Sequence, residues 1–457
     1  MTTKTIKKQI IKQYLHRTPK SQALDQRAKH SLPGGDSRWA TYYFPYPAYM
    51  QKGVGCELTD VDGNVYLDFQ NNYTALVHGH AHPAITAALE RQLPKSTIYG
   101  APAESQFELA DLLTSRLPGV DLVRFTNSGT EATMMAMRAA RAFTGKPVIL
   151  KMDGGYHGSQ DLAEINISPD LSGADLPVPH VESQGIPDCV LDSAVVARFN
   201  DLESVEQVLR AHQNEIAAII TEPLMNAAGM IPPGEDFLPG LRRLADRYGV
   251  LLIFDEVVTF RLHLQGYQGK AAVQPDLTAL GKAIGGGLPV GAFGGKAEIL
   301  SRFDPASEKA FHHSGTFNAN PMTMAAGAAA VKHLDAAAIH KINQLGERMR
   351  SGIGEAFLEA GISGYASGEG SLLYIHWTAG PVMNPADVVR WKQKAADLPR
   401  LLHLALLNLG IFTANRGMFN ISTPMESSHI DTAVSAFSEA LNQLKPYAAE
   451  AAPHLLN

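Results

Sequence analysis

Apolar and polar positions change their spacing several times along the chain, and the changes divide it into segments. Over the first twenty residues Ile6, Ile10, Ile11, Tyr14 and Leu15 recur at near-helical spacing among Lys4, Lys7, Lys8, Lys12, Arg17 and Lys20, with no acid. This predicts an amphipathic helix. From Val54 to Phe69 the residues alternate around Asp62-Gly63-Asn64, with Glu57, Leu58 and Val61 on one side and Val65, Tyr66 and Leu67 on the other, which reads as a hairpin. From about Phe107 to Phe293 the runs LVRFT, VILKM, AAIIT and VLLIFDE alternate with helical patterns such as Glu131 to Thr144 and Phe237 to Tyr248. That alternation predicts a parallel sheet with crossover helices. After Asn320 the pattern becomes a long alanine-rich helix, then short mixed strands and helices.

The expected fold is therefore α/β: a large domain over 71–320 with a mostly parallel central sheet and crossover helices, and a smaller α+β domain assembled from 1–70 and 321–457. A chain of 457 residues exceeds what one hydrophobic core supports, so two lobes are expected. No repeat, low-complexity segment or linker rich in proline or serine interrupts it.

Composition narrows the function by exclusion. With 45% hydrophobic and 18% charged residues, the chain has the make-up of a folded globular protein. A formal net charge of -6 offers no positive field for phosphates, and no basic stripe is interleaved with aromatics, so nucleic acid is not the expected partner. A small molecule is. Cys56 and Cys189 are the only cysteines, too few for a disulfide framework or a four-cysteine zinc site, which fits a reducing compartment, the cytoplasm. The basic N-terminal stretch has the charge of a transit peptide. It is lysine-rich and nearly lacks serine, however, so a helix packing on its own protein is the better reading. No membrane-length apolar run and no secretory leader is present.

In open parallel sheets ligands gather at the carboxyl ends of strands, so residues just past the apolar runs carry the candidate chemistry. After LVRFT comes Asn127-Ser128-Gly129-Thr130-Glu131 and then a helical pattern, where N–H groups, two hydroxyls and the helix dipole could hold an anion. The same residues also form an ordinary S-x-x-E helix cap. Past VLLIF stand Asp255 and Glu256, carboxylates that mark the tip of a strand. Lys282 sits in Leu280-Gly281-Lys282-Ala283-Ile284-Gly285-Gly286-Gly287. Ala283 follows the lysine where a Walker A motif needs Ser or Thr, and no G-x-G-x-x-G opens a helix after an early strand. Nucleotide and dinucleotide sites are thus disfavoured. Gly154-Gly155-Tyr156-His157-Gly158 places an aromatic ring and an imidazole in a backbone that can approach a ligand closely. His78, His80 and His82 alternate in a polar loop and His312-His313 lack a nearby acid, so no metal is expected.

Taken together, FTNSGTEA at 125–132, GGYHG at 154–158, TEP at 221–223, FDEV at 254–257, LGKAIGGGLPVGA at 280–292 and SGTFNANP at 314–321 resemble the class III aminotransferases dependent on pyridoxal phosphate. Within that family the chain is similar to β-amino acid (β-phenylalanine-type) transaminases and to glutamate-1-semialdehyde aminomutases. The resemblance implies fold type I. It implies that Lys282 forms the Schiff base and shuttles a proton, and that Asp255 pairs with the pyridinium nitrogen and keeps the ring electron-accepting. Ser128, Gly129 and Thr130 would hold the phosphate, with Thr316 reaching it from a neighbouring subunit. Tyr156 would stack on one ring face and Val257 pack on the other, Glu222 would border the cofactor edge, and His157 is the weaker candidate for direct contact. A residue supplied in trans implies a homodimer or larger assembly with composite sites.

A transaminase binds an amino donor and a 2-oxo acid in turn, and an arginine fork is the best grip on a carboxylate. Arg38, in Pro33-Gly34-Gly35-Asp36-Ser37-Arg38, and Arg416, in Asn415-Arg416-Gly417-Met418-Phe419-Asn420-Ile421-Ser422, resemble the two carboxylate arginines of the β-amino acid transaminases. The aminomutases carry an acid in the second segment, where Met418, Phe419 and Asn420 are uncharged. Transfer from a β-amino acid or amine to pyruvate or 2-oxoglutarate is therefore expected first, the aminomutase reaction second, and a catalytically silent cofactor-binding protein last.

Overall fold

The computed structural model describes residues 3–456. They form two compact units, one of residues 3–82, 341–381 and 390–456 and the other of residues 83–340 and 382–389. The sequence pattern placed the divisions after 70 and after 320. Residues 71–82 instead fold back on their own unit through the bridge between Gly55 and His80, and the alanine-rich helix beyond Asn320 packs on two helices of the larger unit.

The smaller unit begins with helices α1 (Thr3–Arg17) and α2 (Pro19–Ala28) and strands β1 (Met50–Val54), β2 (Glu57–Asp60) and β3 (Val65–Asp68). Ile6, Ile10 and Tyr14 are the buried face of α1, so the basic N-terminal stretch is a helix packed on its own protein, with the lysines left toward solvent. The hairpin is present as β2 and β3, antiparallel, with Glu57 opposite Leu67.

The larger unit contains α3 (Pro83–Gln92), α4 (Ser105–Arg116), β4 (Leu122–Thr126), α5 (Gly129–Thr144), β5 (Val148–Met152), β6 (Ala194–Ala197), α6 (Leu202–Ala211), β7 (Ile216–Thr221), α7 (Phe237–Tyr248), β8 (Leu251–Asp255), α8 (Gly266–Ala271), β9 (Leu277–Gly281), β10 (Gly291–Gly295), α9 (Ala297–Leu300) and α10 (Pro321–His333). Its seven strands lie in the order β4-β10-β9-β8-β7-β5-β6. Only β10 runs antiparallel to its neighbours, so the sheet is mostly parallel, as the alternating pattern requires. Strands β5, β7 and β9 are buried along their whole length, and β7, the run IAAIIT, reads as continuously apolar rather than alternating for that reason.

The chain ends with α11 (Ala336–Ala360), β11 (Tyr365–Glu369), β12 (Leu372–His376), α12 (Pro385–Lys394), α13 (Leu398–Asn408), β13 (Ile411–Phe412), β14 (Met418–Asn420) and α14 (Ser427–Ala451). In the smaller unit β13 extends the hairpin sheet in parallel beside β3, and β11, β12 and β14 make a separate antiparallel sheet. Among the described residues no helix is long and apolar enough to cross a membrane, and no group of His, Cys, Asp or Glu is placed to hold a metal. Cys56 is buried, Cys189 is exposed, and both are free.

Candidate active site

In the larger unit the candidate residues sit where the strands end. Ser128 follows β4 and caps α5: its extended backbone (φ -154°) turns the hydroxyl so that Oγ accepts from the Glu131 N–H at 3.1 Å. The Glu131 carboxylate turns back to the Asn127 N–H at 2.6 Å. The helix cap is thus real. It leaves the first N–H groups of a sixteen-residue helix free of intrahelical partners, the arrangement that binds anions. A Cβ on Gly129 would press against Val257, 3.1 Å from its Cγ1, so glycine there leaves the approach open. Thr130 lies under the Gly154–Gly158 loop: its Oγ1 accepts from the Ser159 N–H at 3.2 Å, and a Cβ on Gly158 would fall 2.5 Å from it. Glycine at 158 (φ +95°) is therefore required both by conformation and by the close approach of Thr130.

Asp255 ends β8 and is 6% exposed. Its Oδ1 accepts from the Val257 N–H at 3.1 Å and its Oδ2 lies 2.9 Å from Nδ1 of His157. Burial outweighs the carboxylate and pulls the His157 pKa down, so the imidazole is neutral and donates its Nδ1 proton to Asp255. Its Nε2 is buried without a partner. His157 is thus a neighbour of Asp255, a role its sequence position did not reveal.

Glu222 lies just past β7. Its Oε1 accepts from the Tyr156 N–H and Oε2 from the Asn226 N–H, both at 3.1 Å. Burial, then the charge of Asp255, push its pKa up to about 8, against the two backbone donors and Lys282. Lys282 opens a turn directly after β9 with φ +49°, in the left-handed region that a side chain rarely adopts. Strain of this kind collects at functional positions. Tyr156 is 37% exposed, and Thr316 is exposed in a loop whose Asn318 accepts from the Asn127 amide at 2.9 Å.

In the smaller unit Arg38 and Arg416 converge on one ring. The Arg38 guanidinium is 5.9 Å from the centroid of Tyr73 and that of Arg416 is 5.2 Å from it. Arg38 also donates to Asn72 Oδ1 at 2.7 Å. Among the described residues neither arginine forms an ion pair, and Nε of Arg416 is buried without a partner. Tyr73 is a residue that motif reading missed. It belongs to Asn71-Asn72-Tyr73-Thr74, four consecutive residues with φ between 47° and 78°. The only signal in the sequence is the asparagine pair, a residue type that tolerates this conformation.

The family model described as "Aminotransferase class-III" matches residues 40–441. Among curated relatives, a glutamate-1-semialdehyde 2,1-aminomutase of Ignicoccus hospitalis is 42% identical over 400 residues, covering 86% of this chain and 92% of its own. Others at 36% to 41% identity carry the same name, which weighs toward the reaction expected second from the sequence. Among solved structures, an omega-transaminase from Sphaerobacter thermophilus is 44% identical with a TM-score of 0.90, covering 93% of this chain and 97% of its own. A β-phenylalanine aminotransferase from Variovorax paradoxus is 35% identical with a TM-score of 0.84, covering 95% and 97%.

Proposed function

Because this chain belongs to the class III aminotransferase family, we propose that it uses pyridoxal phosphate to move an amino group from a β-amino acid or amine to a 2-oxo acid. Two features of the larger unit fit the cofactor. The free N-terminus of α5, opening on a glycine whose missing side chain leaves the backbone open to a ligand, suits a phosphate, and the Asp255 carboxylate, whose hydrogen-bond partners are both uncharged, suits a ring cation. When bound, pyridoxal phosphate supplies an aldehyde that captures the amino group and a ring that accepts the electron pair left on the substrate carbon.

The chain's own residues do the rest. Ser128, Gly129 and Thr130 hold the phosphate through backbone N–H groups and the two hydroxyls, each of which accepts one hydrogen bond from the protein and keeps its own O–H to donate. Asp255 keeps the ring nitrogen protonated, and His157 keeps Asp255 oriented. Tyr156 and Val257 take the two ring faces, and Glu222 borders the ring edge. Lys282 Nζ anchors the cofactor and removes the proton from the substrate carbon that bears the nitrogen. Thr316, exposed in its own subunit, serves the phosphate of a second copy, which makes a homodimer the smallest complete enzyme.

The observation that carries transfer between two molecules is the pair of arginines on Tyr73. Two guanidinium groups that meet no carboxylate among the described residues make a site for one, and a donor and an acceptor that differ in shape can use them differently. The second reading, an intramolecular exchange on glutamate-1-semialdehyde, is favoured by the names of the curated relatives. One panel separates them. β-Amino acids and amines are offered with pyruvate or 2-oxoglutarate, and glutamate-1-semialdehyde is offered with no acceptor. New amino acid in the first arm supports the transaminase, and isomerisation only in the second replaces it with the aminomutase.

A further inference from the structure

One residue of the larger unit breaks its pattern. Strand β5 runs Val148, Ile149, Leu150, Lys151, Met152 and is buried throughout, yet its fourth residue is a lysine of 0% exposure. No carboxylate lies within ion-pair distance of it among the described residues. Its three ammonium hydrogens meet three backbone carbonyls instead: Gly155 at 3.0 Å, Ala163 at 2.9 Å, and Ile165. A neutral amine has only two hydrogens, so three acceptors match the charged form. Burial pulls its pKa down to about 7, with Asp153 and Glu222 acting against that loss.

The carbonyls belong to the connection between β5 and β6, outside the strands of the sheet. The peptide unit between Gly155 and Tyr156 is gripped at both ends, its C=O by Lys151 and its N–H by Glu222 Oε1 at 3.1 Å. Tyr156 and His157 follow immediately, and His157 reaches Asp255 at 2.9 Å. We propose that Lys151 is a positioning residue: with Glu222 it fixes that one peptide plane, and so sets the directions in which Tyr156 and His157 present their rings. A peptide unit whose C=O accepts from the Lys151 ammonium and whose N–H donates to a carboxyl oxygen of Glu222 is held in one orientation only. The consequence for the cofactor rests on the function proposed above. The ordering of the loop does not.

The test uses Lys151→Met, which keeps the length and removes the charge, and Lys151→Gln, which keeps an N–H donor. Amide hydrogen exchange in the cofactor-free protein reads loop order without any assumption about catalysis. Exchange at Tyr156 and His157 is expected to accelerate at least tenfold in Lys151→Met and less in Lys151→Gln, while amides of Phe237–Tyr248 stay unchanged. In the loaded enzyme the dissociation constant of pyridoxal phosphate is expected to rise about tenfold, with kcat falling and KM for the amino donor little altered. Adding Glu222→Gln to Lys151→Met is expected to cost less than the product of the two single losses. Unchanged exchange at Tyr156 and His157 overturns the proposal. So does failure of both single variants to fold, which would make Lys151 a support of the whole core. Accelerated exchange with unaltered cofactor affinity would leave the clamp standing and count against the cofactor reading instead.

Discussion

Asp255→Asn removes one charge and keeps the shape of the side chain, so its consequences follow from the hydrogen bonds. In the native protein Oδ1 accepts from Val257 N–H and Oδ2 accepts from the neutral His157 through Nδ1–H. An amide offers one acceptor and one donor group. With its oxygen toward Val257, its NH2 meets Nδ1–H, and the imidazole proton must move to Nε2, which is buried and has no acceptor. With the oxygen toward His157, the NH2 faces the Val257 N–H. Either way one buried donor is unsatisfied, at a cost of about 1–3 kcal/mol in the cofactor-free protein. The catalytic loss is larger. A carboxylate about 2.8 Å from a ring cation contributes roughly 6 kcal/mol at an effective dielectric constant of about 20. Withdrawn from the step that places negative charge on the substrate carbon, this slows turnover by roughly four powers of ten, at about 1.4 kcal/mol for each tenfold. The assay is amino transfer at saturating pyridoxal phosphate, with denaturant unfolding of the cofactor-free variant beside it. A full-rate Asp255→Asn enzyme would reduce the carboxylate to a strand end, and unchanged stability would refute the tautomer argument.

Lys282→Ala is expected to abolish turnover and the long-wavelength absorbance of the lysine-bound cofactor; turnover at the native rate would remove Lys282 from the mechanism. Arg416→Ala is expected to raise KM for pyruvate or 2-oxoglutarate about ten- to a hundredfold, the value of a charged hydrogen bond of roughly 1.5–3 kcal/mol, while a carboxylate-free amine is spared. Arg38→Ala is expected to weaken the β-amino acid in the same measure, and equal losses on acids and amines would make both arginines structural. The fully buried His403, with Nδ1 3.1 Å from Thr413 Oγ1, has its pKa pulled down from 6.5 to about 3 by burial. In that window the unfolded chain binds a proton that the native state refuses, so stability present above the unfolded value is lost as pH falls toward the folded one. His403→Gln is expected to flatten that loss between about pH 7 and about pH 4.5 in denaturant titrations, and an unchanged slope would refute it.

Much of the fold was legible because the deciding forces are local. The pattern Phe237 to Tyr248 coincides with α7, whose apolar stripe is buried and whose end is set by Gly249 in the left-handed conformation. Strand β10 was not legible, because Gly291-Ala292-Phe293-Gly294-Gly295 lacks the β-branched residues that mark strands. Its glycines answer to neighbours instead: a Cβ on Gly291 would fall 2.0 Å from the Ser128 carbonyl and one on Gly295 2.2 Å from that of Asp276. The site divides the same way. Ser128 and Asp255 announce themselves by following apolar runs, and Lys282 by the glycine-rich motif that resembles the family's. Tyr73 owes its place to a left-handed run that only tertiary structure maintains, and Lys151 is hidden inside a hydrophobic pentapeptide.

The arrangement of buried charge in the larger unit explains why Asp255, rather than its equally buried neighbours, suits a cationic ring. Lys151 is compensated by three carbonyls, and Glu222 by two backbone N–H groups. Glu256, with a pKa raised by burial to about 7, accepts from Tyr267 N, Gln268 N and the Thr259 hydroxyl. Asp255 has one backbone donor and one neutral imidazole, and its charge is strong enough to be the second cause of the high pKa of Glu222. Its negative field is therefore spent on raising a neighbour's pKa. A protonated ring nitrogen placed at Asp255 would relieve both carboxylates, stabilising the ionised form of Glu222 as well as its own partner. On this argument cofactor binding and the protonation of Glu222 are coupled. Glu222 loses its proton more readily with pyridoxal phosphate bound than without it, and the Asp255→Asn variant, lacking the charge that couples them, loses most of that difference.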